Sequence, residues 1–283
     1  MYIFIVFVLA TLYALLLSSY IPMDSTIKDR VNYIEYASSP EIIFVRYWSA
    51  GVLSSFVNEP VWLGINFTLS RFLTPEQVAQ LKLISQSAQY VDGKISNPHS
   101  KVKNNLQLHD NAAYARSSKI IAEALMTHPE FVAFAYPKKI APPLMTRYEP
   151  GMHYGLHADS AVIPLPGEML RSDLSCTIFL SDPASYDGGA LHVRLGGSDL
   201  RFKGAPGTAI VYPSNTLHEV EPITKGERHV AITFIESQIP DTEKRNILYE
   251  LDEVAALEGL SMSFDNFTRL QAVQSNLKRR WIH

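Results

Sequence analysis

The sequence predicts an α+β fold in which a sandwich or jelly-roll of short strands is flanked by helices, with an apolar helix at the N-terminus. From about residue 131, short β-type runs are broken by Gly, Pro and Asp at regular spacing. No long helical segments separate these runs, which disfavours βαβ units. Apolar residues at near-helical spacing precede and follow the runs and indicate the flanking helices.

The N-terminal apolar helix is predicted from residues 2–21, which carry no charge. About 20 apolar residues can span a bilayer as a helix. Three interpretations stay open for segment 1–22: a membrane anchor, a signal peptide, or upstream sequence ahead of a true start at Met23. No Lys or Arg precedes the run, which disfavours a signal peptide. Lys28 and Arg30 follow it, so an anchored chain would keep its C-terminal domain in the cytoplasm; a chain starting at Met23 would be soluble and cytoplasmic.

Residues 23–65 contain aromatics without a clear period and are treated as a lead-in of unclear structure. Regular patterning begins near residue 66. Thr74 and Gln77 can form a capping box around Pro75, which suits the first position of a helix. A second helix is predicted over 112–126, and Pro129 is expected to end it.

The β-type runs predict strands at 144–148, 175–180, 190–195, 200–203, 208–212 and 230–235, with turns at 187–189 and 196–197. The tail, 241–283, is predicted to be helical. The one cysteine, Cys176, lies in a strand-like run and is expected to be a buried, inert thiol. A formal net charge of −3 disfavours a nucleic-acid partner, so the function must come from a local site.

Candidate metal ligands lie in segment 147–159, where two glycines and a proline disfavour a helix. His153 and His157 therefore do not form a helical zinc pair, and His153 is left at the mouth of the site. On an extended segment, His157 and Asp159 point to the same side and can converge on one ion. His218 follows the strand 208–212, which in a jelly roll can run beside the strand carrying His157. Two imidazoles and one carboxylate cover one face of a metal ion, as in non-haem Fe(II) oxygenases.

Arg228 lies ten residues past His218 and opens the last predicted strand after the turn 224–227. A hairpin there would fold Arg228 back toward the strand of His218. An arginine can hold a carboxylate through two parallel hydrogen bonds. The sequence therefore predicts a metal site with an organic acid as its second reagent.

Three segments resemble the PKHD-type hydroxylases, within the prolyl 4-hydroxylase-like Fe(II)/2-oxoglutarate dioxygenases. They are RYEPGMHYGLHAD, SCTIFLSDPASYDGGAL and GTAIVYPSNTLHEVEPITKGERHVAITFIES. The resemblance runs from about residue 66 into the C-terminal helices. It implies a double-stranded β-helix (jelly-roll) core in a dioxygenase domain, 66–240, followed by a helical extension, 241–283.

The same resemblance implies a role for each site residue. It makes His157, Asp159 and His218 the catalytic ligands of Fe(II), and it makes Arg228 the residue that binds the remote carboxylate of 2-oxoglutarate. Tyr148 matches a position whose phenol helps to hold that carboxylate. The reaction it implies is hydroxylation of a C–H bond with O₂, releasing succinate and CO₂. The family is also linked with L-ascorbate, which re-reduces iron.

Two other functions are compatible with the residues: a non-catalytic jelly-roll protein that binds a metal or small molecule, and a zinc-dependent hydrolase. The expected partners are a small-molecule or peptide substrate, prolyl residues among the candidates, with no nucleic acid. A membrane contacted through residues 2–21 and a homodimer are further expectations. The segment 160–172 is expected to be a loop that shapes substrate entry.

Overall fold

A computed structural model describes residues 67–69, 72–195 and 198–283. The predicted apolar helix in segment 1–22, the lead-in 23–65 and the predicted turn at 196–197 therefore lie outside the described residues. In the described part of the chain, none of the helices has the combination of length and apolar character that a membrane crossing requires.

Strands dominate the described chain. They are β1 (Phe67–Leu69), β2 (Tyr90–Asp92), β3 (Lys103–Asn104), β4 (Leu106–Leu108), β5 (Pro137–Ile140), β6 (Leu144–Tyr148), β7 (His153–His157), β8 (Val162–Leu165), β9 (Glu168–Arg171), β10 (Leu174–Phe179), β11 (Asp187–Gly188), β12 (Leu191–Leu195), β13 (Ser198–Phe202), β14 (Ala209–Pro213), β15 (His218–Val220), β16 (Ile223–Lys225) and β17 (Arg228–Ser237). The predicted strand 144–148 is confirmed with its bounds, and the other predicted strands are found with ends shifted by one or more residues.

Two antiparallel sheets organise these strands. The larger sheet has the order β1-β14-β10-β17-β6-β4-β2, with β5 also paired to β17, and the smaller has the order β13-β12-β15-β7-β3. Two further pairs, β11–β16 and β8–β9, lie outside these sheets. This mixed α/β architecture with antiparallel sheets is consistent with the expected jelly roll.

The helices are α1 (Pro75–Ser87), α2 (Asn111–Thr127), α3 (Pro129–Ala135), α4 (Thr242–Glu258) and α5 (Phe264–Trp281). The predicted capping box is confirmed, since Thr74 accepts from the backbone of Gln77 while the Gln77 side chain accepts from the backbone of Thr74. The predicted second helix is found as α2, and it ends at Thr127, before Pro129, as expected. Pro129 itself occupies the first turn of the separate helix α3, where a missing N–H costs no hydrogen bond.

The two faces of the larger sheet are covered differently. Helices α1 to α3 pack on one face through a continuous apolar core, which includes Leu81, Ile121, Phe131 and, on the sheet, Leu174, Cys176 and Ile178. The other face carries a second apolar cluster shared with the smaller sheet, which includes Tyr148, Phe179, Val193, Tyr212 and Val230. The predicted burial of Cys176 is confirmed, and this burial raises the pKa of its thiol. Alternate residues of each strand thus face helices or the space between the sheets.

Two expected connections differ from the prediction. Segment 160–172 is not a loop, because β8 and β9 pair as a hairpin from Val162↔Arg171 to Leu165↔Glu168. Gly167, with φ of 79°, supplies the left-handed conformation of its tight connection. The predicted turn at 187–189 contains β11, which pairs with β16. The strand β8 pairs with its neighbour β9, and β11 pairs with the distant β16. Residue composition alone reveals neither pairing.

Candidate active site

His157, Asp159 and His218 converge at one end of the smaller sheet. His157 ends β7 and His218 opens β15, and the two residues are direct cross-strand partners. Their ligand atoms and those of Asp159 all lie within 4.8 Å of one another. The Nε2 atoms of His157 and His218 are 3.8 Å and 3.6 Å from the two carboxylate oxygens of Asp159. This donor set, two imidazoles and a carboxylate with other positions open, suits Fe(II).

Both imidazoles are oriented by backbone carbonyls. His157 Nδ1 lies 2.8 Å from the carbonyl oxygen of Gly155, and His218 Nδ1 lies 2.9 Å from that of Thr216. Carbonyl oxygens accept only, so each Nδ1 carries the proton and donates it. Each Nε2 then keeps its lone pair for a metal, which is the usual arrangement of metal-binding histidines.

The Asp159 carboxylate is held by groups of the larger sheet and a loop. The Ser175 hydroxyl on β10 donates to Asp159 Oδ2 at 2.6 Å, and the Asp159 backbone N–H donates to the carbonyl of Ser214 at 3.1 Å. The hydroxyls of Ser175, Ser214 and Ser172 form a chain with separations of 2.8 Å and 2.7 Å. Sequence reasoning missed Ser175. The available signal was the alternation of the polar residues Ser175 and Thr177 with apolar residues in β10.

Burial and the charge of His218 lower the pKa of His157 from 6.5 to about 4. The unfolded chain therefore binds more protons than the folded chain between these values, so folding is weakened as pH falls from 6.5 toward 4. We expect protein kept metal-free with a chelator to lose about 3 kcal/mol of stability over this window. Urea unfolding at successive pH values measures this loss. His157→Gln should flatten the profile, and equal pH profiles of the two proteins would contradict the assignment.

Arg228 is a buried cation without a charged partner in the described chain. Its side chain is 1% exposed, and its Nε and Nη2 atoms have no hydrogen-bond partner among the described residues. It opens β17 directly opposite Tyr148 on β6, with the guanidinium carbon 5.1 Å from the centre of the Tyr148 ring. A buried guanidinium with free donors is costly unless it binds an acceptor. Two free N–H donors on one planar guanidinium have the geometry to bind a carboxylate.

Other buried polar atoms without partners among the described residues lie on β6, on β4 and in the connection before β4. The Tyr148 hydroxyl is 2.9 Å from the Asn105 amide nitrogen, which donates to it, while Asn105 Oδ1 is buried without a partner. Gln107 Oε1 on β4 and Thr146 Oγ1 on β6 are also buried without a hydrogen-bond partner among the described residues. The two residues are cross-strand partners. Burial raises the pKa of Tyr148, and the charge of Arg228 opposes this shift. The phenol therefore stays protonated and can donate to a bound carboxylate.

The strand pairing predicted for His218 and Arg228 was wrong. The predicted strand 208–212 is β14, which pairs with β1 and β10 and not with the strand of His157. His218 instead begins a separate strand, β15, and that strand pairs with β7. The expected hairpin before Arg228 is also wrong, because β16 pairs with β11 while β17 joins the larger sheet. His218 and Arg228 therefore reach the site from different sheets.

Tyr154 and His153, the second of which was expected at the mouth of the site, both lie on β7. The Tyr154 ring stacks on the His157 ring with centroids 3.6 Å apart and planes 14° apart, so it braces this ligand. His153 is half-buried, and its Nδ1 lies 3.4 Å from the carbonyl of Gly151. It is not part of the ligand cluster.

Comparison with known proteins agrees with this site. The model of the 2OG-Fe(II) oxygenase superfamily matches residues 143–236, a stretch that contains all five predicted site residues. A PKHD-type hydroxylase of Sphingopyxis alaskensis is 65% identical over 215 residues, which cover 76% of this chain and 99% of that protein. A second one, from Pseudoalteromonas atlantica, is 38% identical over 74% of this chain and 95% of its own length.

Among solved structures, a Pseudomonas putida prolyl 4-hydroxylase is similar at 17% identity and a TM-score of 0.44, covering 61% of this chain and 92% of that one. The close relatives are matched over nearly their whole length. The chain therefore belongs to the PKHD-type hydroxylases, a family of Fe(II)- and 2-oxoglutarate-dependent oxygenases.

Proposed function

We propose that this chain hydroxylates a C–H bond of a small-molecule or peptide substrate through Fe(II) held by His157, Asp159 and His218. In this proposal Arg228 and Tyr148 bind the remote carboxylate of 2-oxoglutarate. The observation that carries it is the presence, beside a three-ligand cluster, of a buried guanidinium whose Nε and Nη2 atoms have no partner among the described residues. A site that held only a metal would have no need of such a cation.

In this proposal one group of residues binds the metal and another orients 2-oxoglutarate. His157 and His218 present Nε2, while Asp159 supplies the negative charge and is fixed by the Ser175 hydroxyl. Arg228 and Tyr148 would orient 2-oxoglutarate so that its keto-acid end reaches the metal. When bound, Fe(II) supplies the redox chemistry that couples oxidative decarboxylation of 2-oxoglutarate to substrate oxidation.

Apolar walls beside the site residues favour this chemistry, because they would limit the access of water to it. The apolar cluster between the sheets, which contains Phe179 and Tyr212, adjoins the site residues: Phe179 lies near Arg228 and Tyr212 packs edge-on against His218. A dry enclosure strengthens the ionic contact between Arg228 and a carboxylate and protects reactive species from side reactions.

Several finer features belong to the same proposal and rest on sequence or family resemblance. They are L-ascorbate as a reductant of iron, a prolyl or other peptide side chain as substrate, a membrane contact through residues 2–21, and a homodimer. We also propose the domain limits 66–240 for the dioxygenase and 241–283 for the helical extension. We further propose that the catalytic domain lies in the cytoplasm.

The test is metal-dependent consumption of O₂ with 2-oxoglutarate. Protein reconstituted anaerobically with Fe(II) is expected to release succinate and CO₂ when O₂ and 2-oxoglutarate are supplied. Zn(II)-loaded protein should release neither, because Zn(II) has no redox chemistry, whereas a zinc hydrolase would release no succinate with either metal. Mass spectrometry of small molecules and peptides after incubation should reveal a gain of one oxygen. If the Fe(II) protein binds 2-oxoglutarate without forming succinate, the non-catalytic binding protein becomes the better interpretation.

A further inference from the structure

Lys103 is a lysine that faces the interior of the site. It lies on β3, where its side chain is only 6% exposed, while the neighbouring residues Val102 and Asn104 are exposed. Asn105, two residues further on, is also buried and contacts Tyr148. Lys103 ends up buried, and so does Asn105, which lies between β3 and β4, while Val102 and Asn104 are exposed; the two buried residues therefore share the covered side of this segment. A lysine on a strand beside the metal ligands would ordinarily be expected to face solvent.

The ammonium group of Lys103 has donors to spare. Its Nζ donates to the Ser96 hydroxyl at 2.7 Å, and this is one of the three hydrogen bonds that an ammonium can donate. Within the described residues, no carboxylate oxygen lies within 4.0 Å of Nζ. The lysines that do form ion pairs with carboxylates are more exposed than Lys103. A buried cation in this state needs an anion.

The position of Lys103 places that anion next to the metal ligands. Lys103 is the cross-strand partner of Tyr154, and Nζ lies 5.6 Å from the centre of the Tyr154 ring, which is stacked on His157. Burial lowers the pKa of Lys103, and the negative charges of Asp159 and Asp92 oppose that shift. Asp92 is exposed and screened by solvent, so Asp159 is the only one of these two charges inside the site.

Charge balance indicates what would bind there. With Fe(II) and 2-oxoglutarate present, the charges of the metal and Arg228 are balanced by Asp159 and the two carboxylates of 2-oxoglutarate. The neutral imidazoles add nothing, so the ammonium of Lys103 leaves the loaded site with one excess positive charge. In a site of low dielectric constant, such a charge attracts an anion strongly.

We propose that Lys103 binds an anionic group of the primary substrate, so that this enzyme hydroxylates a molecule bearing a carboxylate or phosphate close to the oxidised carbon. This inference rests on the proposed function, since it takes Fe(II) and 2-oxoglutarate as occupants of the rest of the site. It narrows the substrate class from any small molecule or peptide to an anionic one.

The test measures binding of small anions to the loaded protein. Mn(II), which replaces Fe(II) without turnover, and saturating 2-oxoglutarate occupy the metal site and Arg228. Acetate and methyl phosphate are then titrated by isothermal calorimetry, with acetamide as the neutral isostere of acetate. Wild-type protein should bind one or both anions and not acetamide, and the preferred anion distinguishes carboxylate from phosphate.

Lys103→Met should weaken this anion binding roughly 10- to 100-fold, the effect of losing a charged hydrogen bond. Lys103→Arg keeps the charge and should retain binding within about tenfold. Lys101→Met, an exposed lysine on the same segment, is the matched control and should bind as wild type. Circular dichroism of each variant checks the fold, and Lys103→Gln serves if the methionine variant does not fold.

Two results would overturn the inference: wild-type protein that binds neither anion, or equal anion binding by wild type and Lys103→Met. The second result would mean that the anions bind the metal or another cation. Neither result affects succinate release by the Fe(II)-loaded wild type, which tests the proposed function separately. Absence of that release would count against the proposed function and not against the Lys103 contact alone.

Discussion

Replacement of His218 by Ala is expected to abolish most metal binding and 2-oxoglutarate turnover. Outer-shell partners of metal ligands usually affect affinity or activity 10- to 100-fold, so loss of a ligand should lower succinate release by at least about 100-fold. The imidazole is 4% exposed and its Nε2 faces Asp159, so no nearby described histidine outside the cluster can take its place. Bound iron, measured by elemental analysis after desalting, and succinate, measured by mass spectrometry, give the two readouts.

The matched control for this variant is His109→Ala, which removes an exposed histidine that lies outside the ligand cluster. It should bind iron and release succinate as wild type does. The assignment of His218 as a ligand is wrong if His218→Ala keeps wild-type iron content and turnover while its circular dichroism spectrum is native.

Replacement of Arg228 by Met is expected to raise the KM for 2-oxoglutarate by roughly 100-fold, since removing one member of a buried charged pair costs about 2–5 kcal/mol. The same change removes a buried cation that has no charged partner in the described chain. The ligand-free variant should therefore be as stable as wild type or more stable. Steady-state kinetics and thermal unfolding with and without 2-oxoglutarate measure both effects.

The combination of the two effects is what identifies Arg228 as a ligand-binding residue. A purely structural arginine would lose stability on substitution and leave the KM unchanged. Arg194→Met, at an exposed arginine paired with Asp199, is the control and should change neither quantity appreciably. A wild-type KM and a full stabilisation by 2-oxoglutarate in Arg228→Met would rule out the proposed contact.

The candidate ligands could be predicted because their chemistry is local. His157 and Asp159 need only an extended backbone to face the same side, and the glycines and proline around them disfavour any helix. The capping box at Thr74 was predictable for a similar reason, as all its hydrogen bonds lie within four residues. His218 and Arg228 could be identified as site residues from their residue types and spacing. The strand pairings predicted to bring them to the site were wrong.

Residues that depend on distant partners escaped prediction. Lys103 and Asn105 alternate with exposed neighbours, and this pattern alone cannot say which face of the strand is covered. The pairing of β3 with β7 and the contact of Asn105 with Tyr148 turn these polar residues inward. Ser175 was missed because its role depends on Asp159, which lies in the connection after β7, a strand of the other sheet.

The sequence by itself determined the reaction chemistry: the ligand types, the arginine for an organic acid, and a fold of short strands with flanking helices. These follow from residue identity and short-range backbone preference, which act within a few positions of the chain. Only the tertiary structure decided that β15, and not β14, lies beside β7, that Arg228 is buried with two donor atoms unpaired among the described residues, and that Lys103 faces the site. Strand pairing joins segments far apart in the chain, and the burial of a charge depends on everything packed around it.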